Sequence, residues 1–347
     1  MAVECGSSAA AEGRRWARLI AGKHFEDSLR TNEHDIYLMS RSGAKMHAQT
    51  STQKSAAFDE IYEKVPAEQV ARLKEFRLTH PYKHLLIAGT KWDYISSGQG
   101  KQTLLLLPGA LSVGDSMFPF ITGFENDYRI IAPSYALSLS MRELCRGLAH
   151  ILEMEKANQA HVLGGSYGGF VAQYFVRQYP GKARSLILSH TFVLRPNLAK
   201  PLWLVGRLVP ALPKGLFAPI LKLRFNKMLL SKLRAANHPE AEFWRAYLNE
   251  AIASDLLKEV FIHQNKCLLE LAQQSQFTPD DLKGWSGRVL IIESEDDPAI
   301  PARDRALLRS TYPKAQVQTF RDAGHASSIL KREEVFSIIR SFLHNAV

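Results

Sequence analysis

Ser166 is the centre of Gly164-Gly165-Ser166-Tyr167-Gly168, directly after an apolar run, His161 to Leu163, that reads as a strand and directly before a helical pattern, Gly168 to Gln178. That is the setting of a nucleophile elbow, a sharp strand-to-helix turn that lifts a serine hydroxyl above the end of a sheet. The turn strains the central residue, so the positions two before and two after it must lack bulk, and Gly164 and Gly168 meet that need. The helix that follows offers its N-terminal N–H groups to a developing negative charge.

A serine hydroxyl is a poor nucleophile until a base takes its proton and an acid orients the base. Both follow Ser166 in the chain. Val289 to Glu293 reads as a buried strand running into the carboxylate-rich loop Ser294-Glu295-Asp296-Asp297-Pro298. Val317 to Phe320 reads as a strand running into Ala323-Gly324-His325. Among the 12 histidines, His325 is preferred because it follows a strand end on the edge where Ser166 would emerge. Asp297 is the favoured acid, since Pro298 and Pro301 stiffen the loop just past the strand; Asp296 is its immediate rival. Two N–H donors must face a tetrahedral oxyanion. Tyr167 supplies one by following the nucleophile, and Ala110, in Leu107-Pro108-Gly109-Ala110-Leu111-Ser112, is the best candidate for the other.

The elements that would hold these residues run from Tyr82 onward as short apolar stretches bounded by turn residues, alternating with helical patterns, the signature of a largely parallel α/β sheet with crossover helices. Strands are predicted over His84 to Ala88, Lys91 to Ile95, Thr103 to Leu107, Arg129 to Ala132 and Ser185 to Ser189, besides those already named. Helices are predicted over Ser140 to Glu155, Arg303 to Ser310 and Arg332 to Leu343. Residues 1–78 read as an N-terminal extension, with a helical patch at Arg14 to Leu19, a polar stretch from Ser40 to Ser55 and a helix from Pro66 to Phe76. Residues 79–192 and 284–347 form the core, and the wholly helical, proline-broken stretch 193–283 is too long for a simple crossover and reads as an inserted lid.

Taken in order, Leu104-Leu105-Leu106-Leu107-Pro108-Gly109, Gly164-Gly165-Ser166-Tyr167-Gly168-Gly169, Glu295-Asp296-Asp297-Pro298-Ala299-Ile300-Pro301 and Ala323-Gly324-His325 resemble the α/β-hydrolase superfamily over about residues 80 to 347. The resemblance implies an eight-stranded, mostly parallel sheet, a Ser166, His325 and Asp297 triad, an oxyanion hole from Ala110 and Tyr167, a helical lid after the sixth strand, and no cofactor or metal. Pro108-Gly109 stands where many members carry His-Gly, and Ala132-Pro133-Ser134-Tyr135 where many carry an Asp and a glycine run. In both places, and in Glu143-Leu144-Cys145-Arg146-Gly147-Leu148 and Ser185 to Phe192, the chain is similar to the maspardin branch. That branch implies an alternative function, a non-catalytic binding or adaptor protein, because its triad is incomplete. Here Asp297 and His325 look intact, and the leading expectation is a serine hydrolase of a carboxylic ester or thioester.

Composition narrows the setting. With 347 residues, 46% hydrophobic and 22% charged, the chain reads as globular, with no run apolar enough to span a bilayer. Glu4 and Glu12 and the lack of an apolar core near the start argue against a secretory signal, and Cys5, Cys145 and Cys267 are too scattered for a disulfide framework, so a cytoplasmic protein is expected. The formal charge of +10 is local: of 44 Lys+Arg, nine lie between Arg195 and Pro239, a segment with no Asp or Glu, while the rest of the chain nearly balances its 34 Asp+Glu. Three readings of that segment compete: a lid with solvated cations, a peripheral contact of residues 195–239 with an anionic membrane, and nucleic-acid binding. The last is disfavoured, since the cations interleave with leucine rather than with stacking aromatics. A small ester or acyl substrate is the expected partner. Within the segment, the interleaving of cations and apolar residues over Lys222 to Arg234 is compatible with an amphipathic helix.

Overall fold

The structure, a computed structural model, describes residues 57–344 except 138, 255 and 275. The Arg14 to Leu19 patch and the Ser40 to Ser55 stretch lie outside the described residues. The chain divides into two compact units, Met1–Glu60, of which only residues 57–60 are described, and Ile61–Val347. The second unit carries an eight-stranded sheet: β1 (Lys83–Ile87), β2 (Thr90–Ser97), β3 (Thr103–Leu107), β4 (Arg129–Ser134), β5 (Ala160–Gly165), β6 (Ala183–Ser189), β7 (Arg288–Ser294) and β8 (Gln316–Phe320), in the order β1-β2-β4-β3-β5-β6-β7-β8. β1 and β2 form an antiparallel hairpin, β2 pairs antiparallel with β4, and all remaining pairings are parallel. The hairpin turns through Ala88 and Gly89, both at positive φ, as a two-residue turn between twisted strands requires.

Strand composition follows position. Every residue of β3 is buried, and β5, β6 and β7 are buried along nearly their whole length, because helices cover both faces of a parallel sheet. The edge strand β1 is mostly exposed. Helices α1 (Ala67–Thr79), α2 (Phe118–Phe124), α3 (Met141–Met154) and α4 (Tyr167–Gln178) precede the insertion. The start of α3 is set by a capping box in which the Ser140 hydroxyl accepts from Glu143 N–H and the Glu143 carboxylate accepts from Ser140 N–H. Between β6 and β7 come α5 (Ala199–Ala211), α6 (Lys214–Phe225), α7 (Ser231–Ala235), α8 (Ala241–Ala253) and α9 (Leu257–Gln273); α10 (Ala302–Thr311), α11 (Ser327–Leu330) and α12 (Arg332–His344) complete the body.

Lys222 to Arg234 is helical throughout with one change of winding: α6 ends at Phe225, Asn226–Leu230 is π-helical, and α7 resumes at Ser231. Around this wider turn Leu221, Leu230 and Leu233 are each buried while Leu223 faces out. Residues from Ile61 onward, α1 included, fall in the same compact unit as the sheet. Helix α1 is fastened to the insertion: Arg72 pairs with Glu240 at 2.7 Å, Arg77 with Glu250 at 2.8 Å, and the Tyr62 hydroxyl donates to Glu250 at 2.6 Å.

Glu240 joins three parts of the chain, since it also accepts from Arg332 at the start of α12. Burial works to raise its carboxyl, but hydrogen bonds from Arg332 and Arg72 outweigh burial and hold it down to about 2 against the ordinary 4.5. Its contribution to stability is therefore complete above about pH 4.5 and is lost as pH falls toward 2. Glu240→Gln should lower stability near neutral pH by about 3 kcal/mol, and denaturant titrations across that range should show the gap between variant and wild type closing as acid is added.

Candidate active site

The chain leaves β5 at Gly165 and enters α4 at Tyr167, so all of the reversal falls on Ser166, which adopts φ 51° and ψ −118°. A non-glycine residue there is strained and persists because its neighbours permit nothing else. Those neighbours are the elbow glycines. A Cβ on Gly164 would lie 2.2 Å from the Gly168 carbonyl oxygen, and one on Gly168 would lie 2.2 Å from the carbonyl oxygen of Leu107. Ser166 N–H donates to the Ser189 carbonyl at the end of β6 at 2.9 Å, pinning the turn to the neighbouring strand.

The acidic loop after β7 divides its carboxylates by partner. Glu293 pairs with Arg309, Glu295 with Arg321 at 3.4 Å, and Asp296 with Lys232 at 2.6 Å while also accepting from Gly324 N–H. Asp297 is the carboxylate that meets His325, with Oδ2 2.7 Å from Nδ1, and its other oxygen accepts from Ala299 N–H at 2.8 Å. The Asp297 side chain is 1% exposed. Burial acts to raise its carboxyl, yet the hydrogen bond and charge of His325, with the Ala299 N–H, hold it below the ordinary carboxylate range. A carboxylate on Nδ1 leaves Nε2 as the nitrogen for proton transfer.

The loop after β3 passes close over the serine: a Cβ on Gly109 would lie 3.7 Å from Ser166 Cβ. Two side chains hold this loop. The Tyr135 hydroxyl donates to the Pro108 carbonyl at 3.0 Å, and Gln264 on α9 donates to the Ala110 carbonyl at 2.9 Å and to the Ser112 hydroxyl at 2.7 Å. Tyr135 stands in the segment that departs from the usual superfamily pattern, and here it supports the Pro108-Gly109 turn that departs as well. Tyr167 is the first residue of α4, where backbone N–H groups have no partner inside the helix.

Two cavities meet at this point. One, of about 350 Å3, is walled by Leu202 and Val205 of α5 and Phe261 and Leu268 of α9. The other, of about 220 Å3, is walled by Met117, Phe120, Trp244 and Leu248. Both include Ala110, Ser166, His190 and His325, and both are roofed by Phe225 and Met228 at the π-helical turn. Among the described residues no group of three or more His, Cys, Asp or Glu is placed to hold a metal ion.

A family profile described as alpha/beta hydrolase fold matches residues 102–331. The chain belongs to the α/β-hydrolase fold family. It is 27% identical over 264 residues to the poly(3-hydroxyalkanoate) depolymerase of Ectopseudomonas oleovorans, covering 69% of this chain and 83% of that one. Human maspardin is 30% identical over 126 residues, covering 34% of this chain and 41% of maspardin. Among solved α/β-hydrolase structures, a thermophilic esterase from Thermogutta terrifontis superposes with a TM-score of 0.60 over 76% of this chain and 98% of its own, at 21% identity.

Two residues of this candidate site were not singled out from the sequence. His190 lies just past β6 at φ 47°, its ring 5.4 Å from the His325 ring in an edge-on arrangement. Its nitrogens bond the hydroxyls of Ser189 and Ser294, and burial, then the nearby His325, push it down to about 3, so it stays a neutral support for His325. The cue that selected His325, a histidine at a strand end on the serine's edge, applies equally to His190. Gln264 carried no such cue, since it reaches Ala110 from a helix in the insertion.

The elbow makes a steric prediction. Gly168→Ala should cost about 2–3 kcal/mol, because its methyl would collide with backbone that cannot swing away. Gly165→Ala, whose methyl would find its nearest neighbour at 3.6 Å, should stay within about 1 kcal/mol of wild type. Chemical denaturation of the two variants checks the contrast.

Proposed function

We propose that the protein is a serine hydrolase that cleaves a carboxylic ester or thioester carrying apolar groups on both sides of the scissile bond. The observation that carries this reading is that Ser166 and His325 form a shared wall of two apolar cavities while His325 is held by buried Asp297 at 2.7 Å. In this reading Ser166 attacks the carbonyl carbon, His325 takes the hydroxyl proton and returns it to the leaving group, and Asp297 holds the imidazole. The N–H groups of Ala110 and Tyr167 receive the oxyanion, and water then releases the acyl group from Ser166. One cavity accepts the acyl chain and the other the leaving group.

The similarity to a protein named poly(3-hydroxyalkanoate) depolymerase places oligomers of 3-hydroxyalkanoates in the substrate panel beside simple alkyl esters. Residues 193–283 act as the lid, and part of 195–239 meets an anionic membrane from which an apolar ester arrives. Free Cys145 and Cys267 suit a reducing compartment such as the cytoplasm. The maspardin-like alternative, a binding protein without turnover, is weakened by the Asp297 and His325 contact.

A fluorophosphonate probe should label the native protein and fail to label Ser166→Ala. Asp297→Asn should lower turnover of a medium-chain ester by about a thousandfold or more, as loss of the orienting acid does in triads of this kind. Equal labelling of native protein and Ser166→Ala defeats the catalytic reading. Absence of labelling together with a stably co-purifying protein establishes the binding alternative.

A further inference from the structure

We infer that α5 and α6 together form a docking surface for an anionic phospholipid bilayer, built on Trp203, Leu204, Leu208, Leu216, Ile220 and Leu223. The inference extends the hydrolase reading by naming the surface from which substrate reaches the cavity, and it stands on different residues. Helix α5 buries no residue fully, yet both of its sides are apolar. Leu202 and Val205 face the Ser166 cavity. Trp203, 51% exposed, and Leu208, 60% exposed, lie on the opposite side with Leu204 and Arg207, at the three- and four-residue spacing of one helix face. In α6, Phe217 and Leu221 pack inward with Leu257 and Val260. Leu216, Ile220 and Leu223 point outward at i, i+4 and i+7, with exposures of 59%, 58% and 70%.

A surface helix of a water-facing protein gives its outer stripe to polar residues. Here two consecutive helices place their large aliphatic and aromatic residues there, and apolar area of this kind marks a binding face. The charges on the same helices identify the occupant. Within Arg195 to Pro239, Arg195 pairs with Asp304 at 3.1 Å and Lys232 with Asp296 at 2.6 Å, so these cations are engaged in the body. Lys200, Arg207 and Lys222 are exposed beside the apolar stripe and form no ion pair with a carboxylate among the described residues; the Arg207 guanidinium lies 5.5 Å over the Trp203 ring. No acid interrupts the segment. Aliphatic and Trp side chains that enter a bilayer interface, flanked by cations that meet anionic headgroups, form the pattern of an interfacial element, each cation contributing about 1 kcal/mol. A second copy of the chain is a poorer occupant, because a two-fold contact through this face would set its cations against themselves with no carboxylate to offset them.

Pro201 of α5 and Arg224 of α6 are exposed and also line the Ser166 cavity. Docking through these helices would therefore bring the cavity's edge to the headgroups and let an apolar ester pass from bilayer to Ser166 without crossing bulk water.

The test is co-flotation of the full chain and of Ser166→Ala with phosphatidylcholine vesicles, with and without phosphatidylglycerol. Both proteins should float with the anionic vesicles at low salt and release as salt rises. Leu208→Ser combined with Leu223→Ser should weaken binding about tenfold or more, given the transfer free energy of two leucines. Arg207→Glu combined with Lys222→Glu should abolish the preference for anionic lipid, and circular dichroism should show both exposed-site variants folded. Trp203 emission, isolated by difference against Trp203→Phe, should shift to the blue on vesicles. The inference is overturned if wild type ignores anionic vesicles, if both paired variants bind as tightly as wild type, or if acrylamide fails to quench Trp203 in lipid-free protein, which would mean that another part of the chain or a second copy covers the face. Floating of Ser166→Ala separates this outcome from any failure of the hydrolase reading.

Discussion

A serine at φ 51° survives only where the chain around it is packed too closely to relax, and the turn between β5 and α4 is packed in this way. Gly164 lies against the Gly168 backbone, and Gly168 lies against the carbonyl of Leu107 at the end of β3. The turn therefore depends on the parallel pairing of β3 with β5, which sets those two strand ends side by side. The same pairing brings the Pro108-Gly109 loop over Ser166. The serine's elevation, the position of the helix N-terminus beneath it and the closeness of the candidate oxyanion loop are thus one packing arrangement.

The rest of the site is assembled at the same edge from strands distant in sequence. β6 delivers His190, β7 delivers Asp297 and β8 delivers His325, each from the loop at its carboxyl end, where a parallel sheet gathers the loops that carry function. The neutral ring of His190 fills the space beside His325, with both nitrogens occupied by serine hydroxyls. A charged group in that place would compete with His325 for Asp297, so its desolvated, uncharged state keeps the acid for one partner.

The helical insertion works on both of its sides. Inward, it supplies Gln264 to the Ala110 loop, Phe225 and Met228 to the cavity roof, and Lys232 to Asp296 beside the candidate triad acid. Outward, it presents aliphatic side chains and cations that the body does not use. The net charge of +10 therefore combines cations engaged in the body, such as Lys232 and Arg195, with cations left at the surface, and these have different physical roles.

The parallel sheet and the strained strand-to-helix turn at Ser166 were legible in the sequence because each is a local signal: a buried strand needs an apolar run, and a strained turn needs glycines at set offsets. The link from α1 to Glu240 and Glu250 was not legible, since it joins residues far apart in the chain. Local pattern favoured Asp297 over its neighbour Asp296 only through the prolines that follow it, and it could not say what each carboxylate meets. Tertiary structure separated them by what faces each one, Lys232 and Gly324 N–H for Asp296 and the His325 ring for Asp297. The division of Lys222 to Arg234 by a π-helical turn and the outward face of α5 and α6 were settled the same way, because a helix that is apolar on two sides has no period from which its buried side can be read.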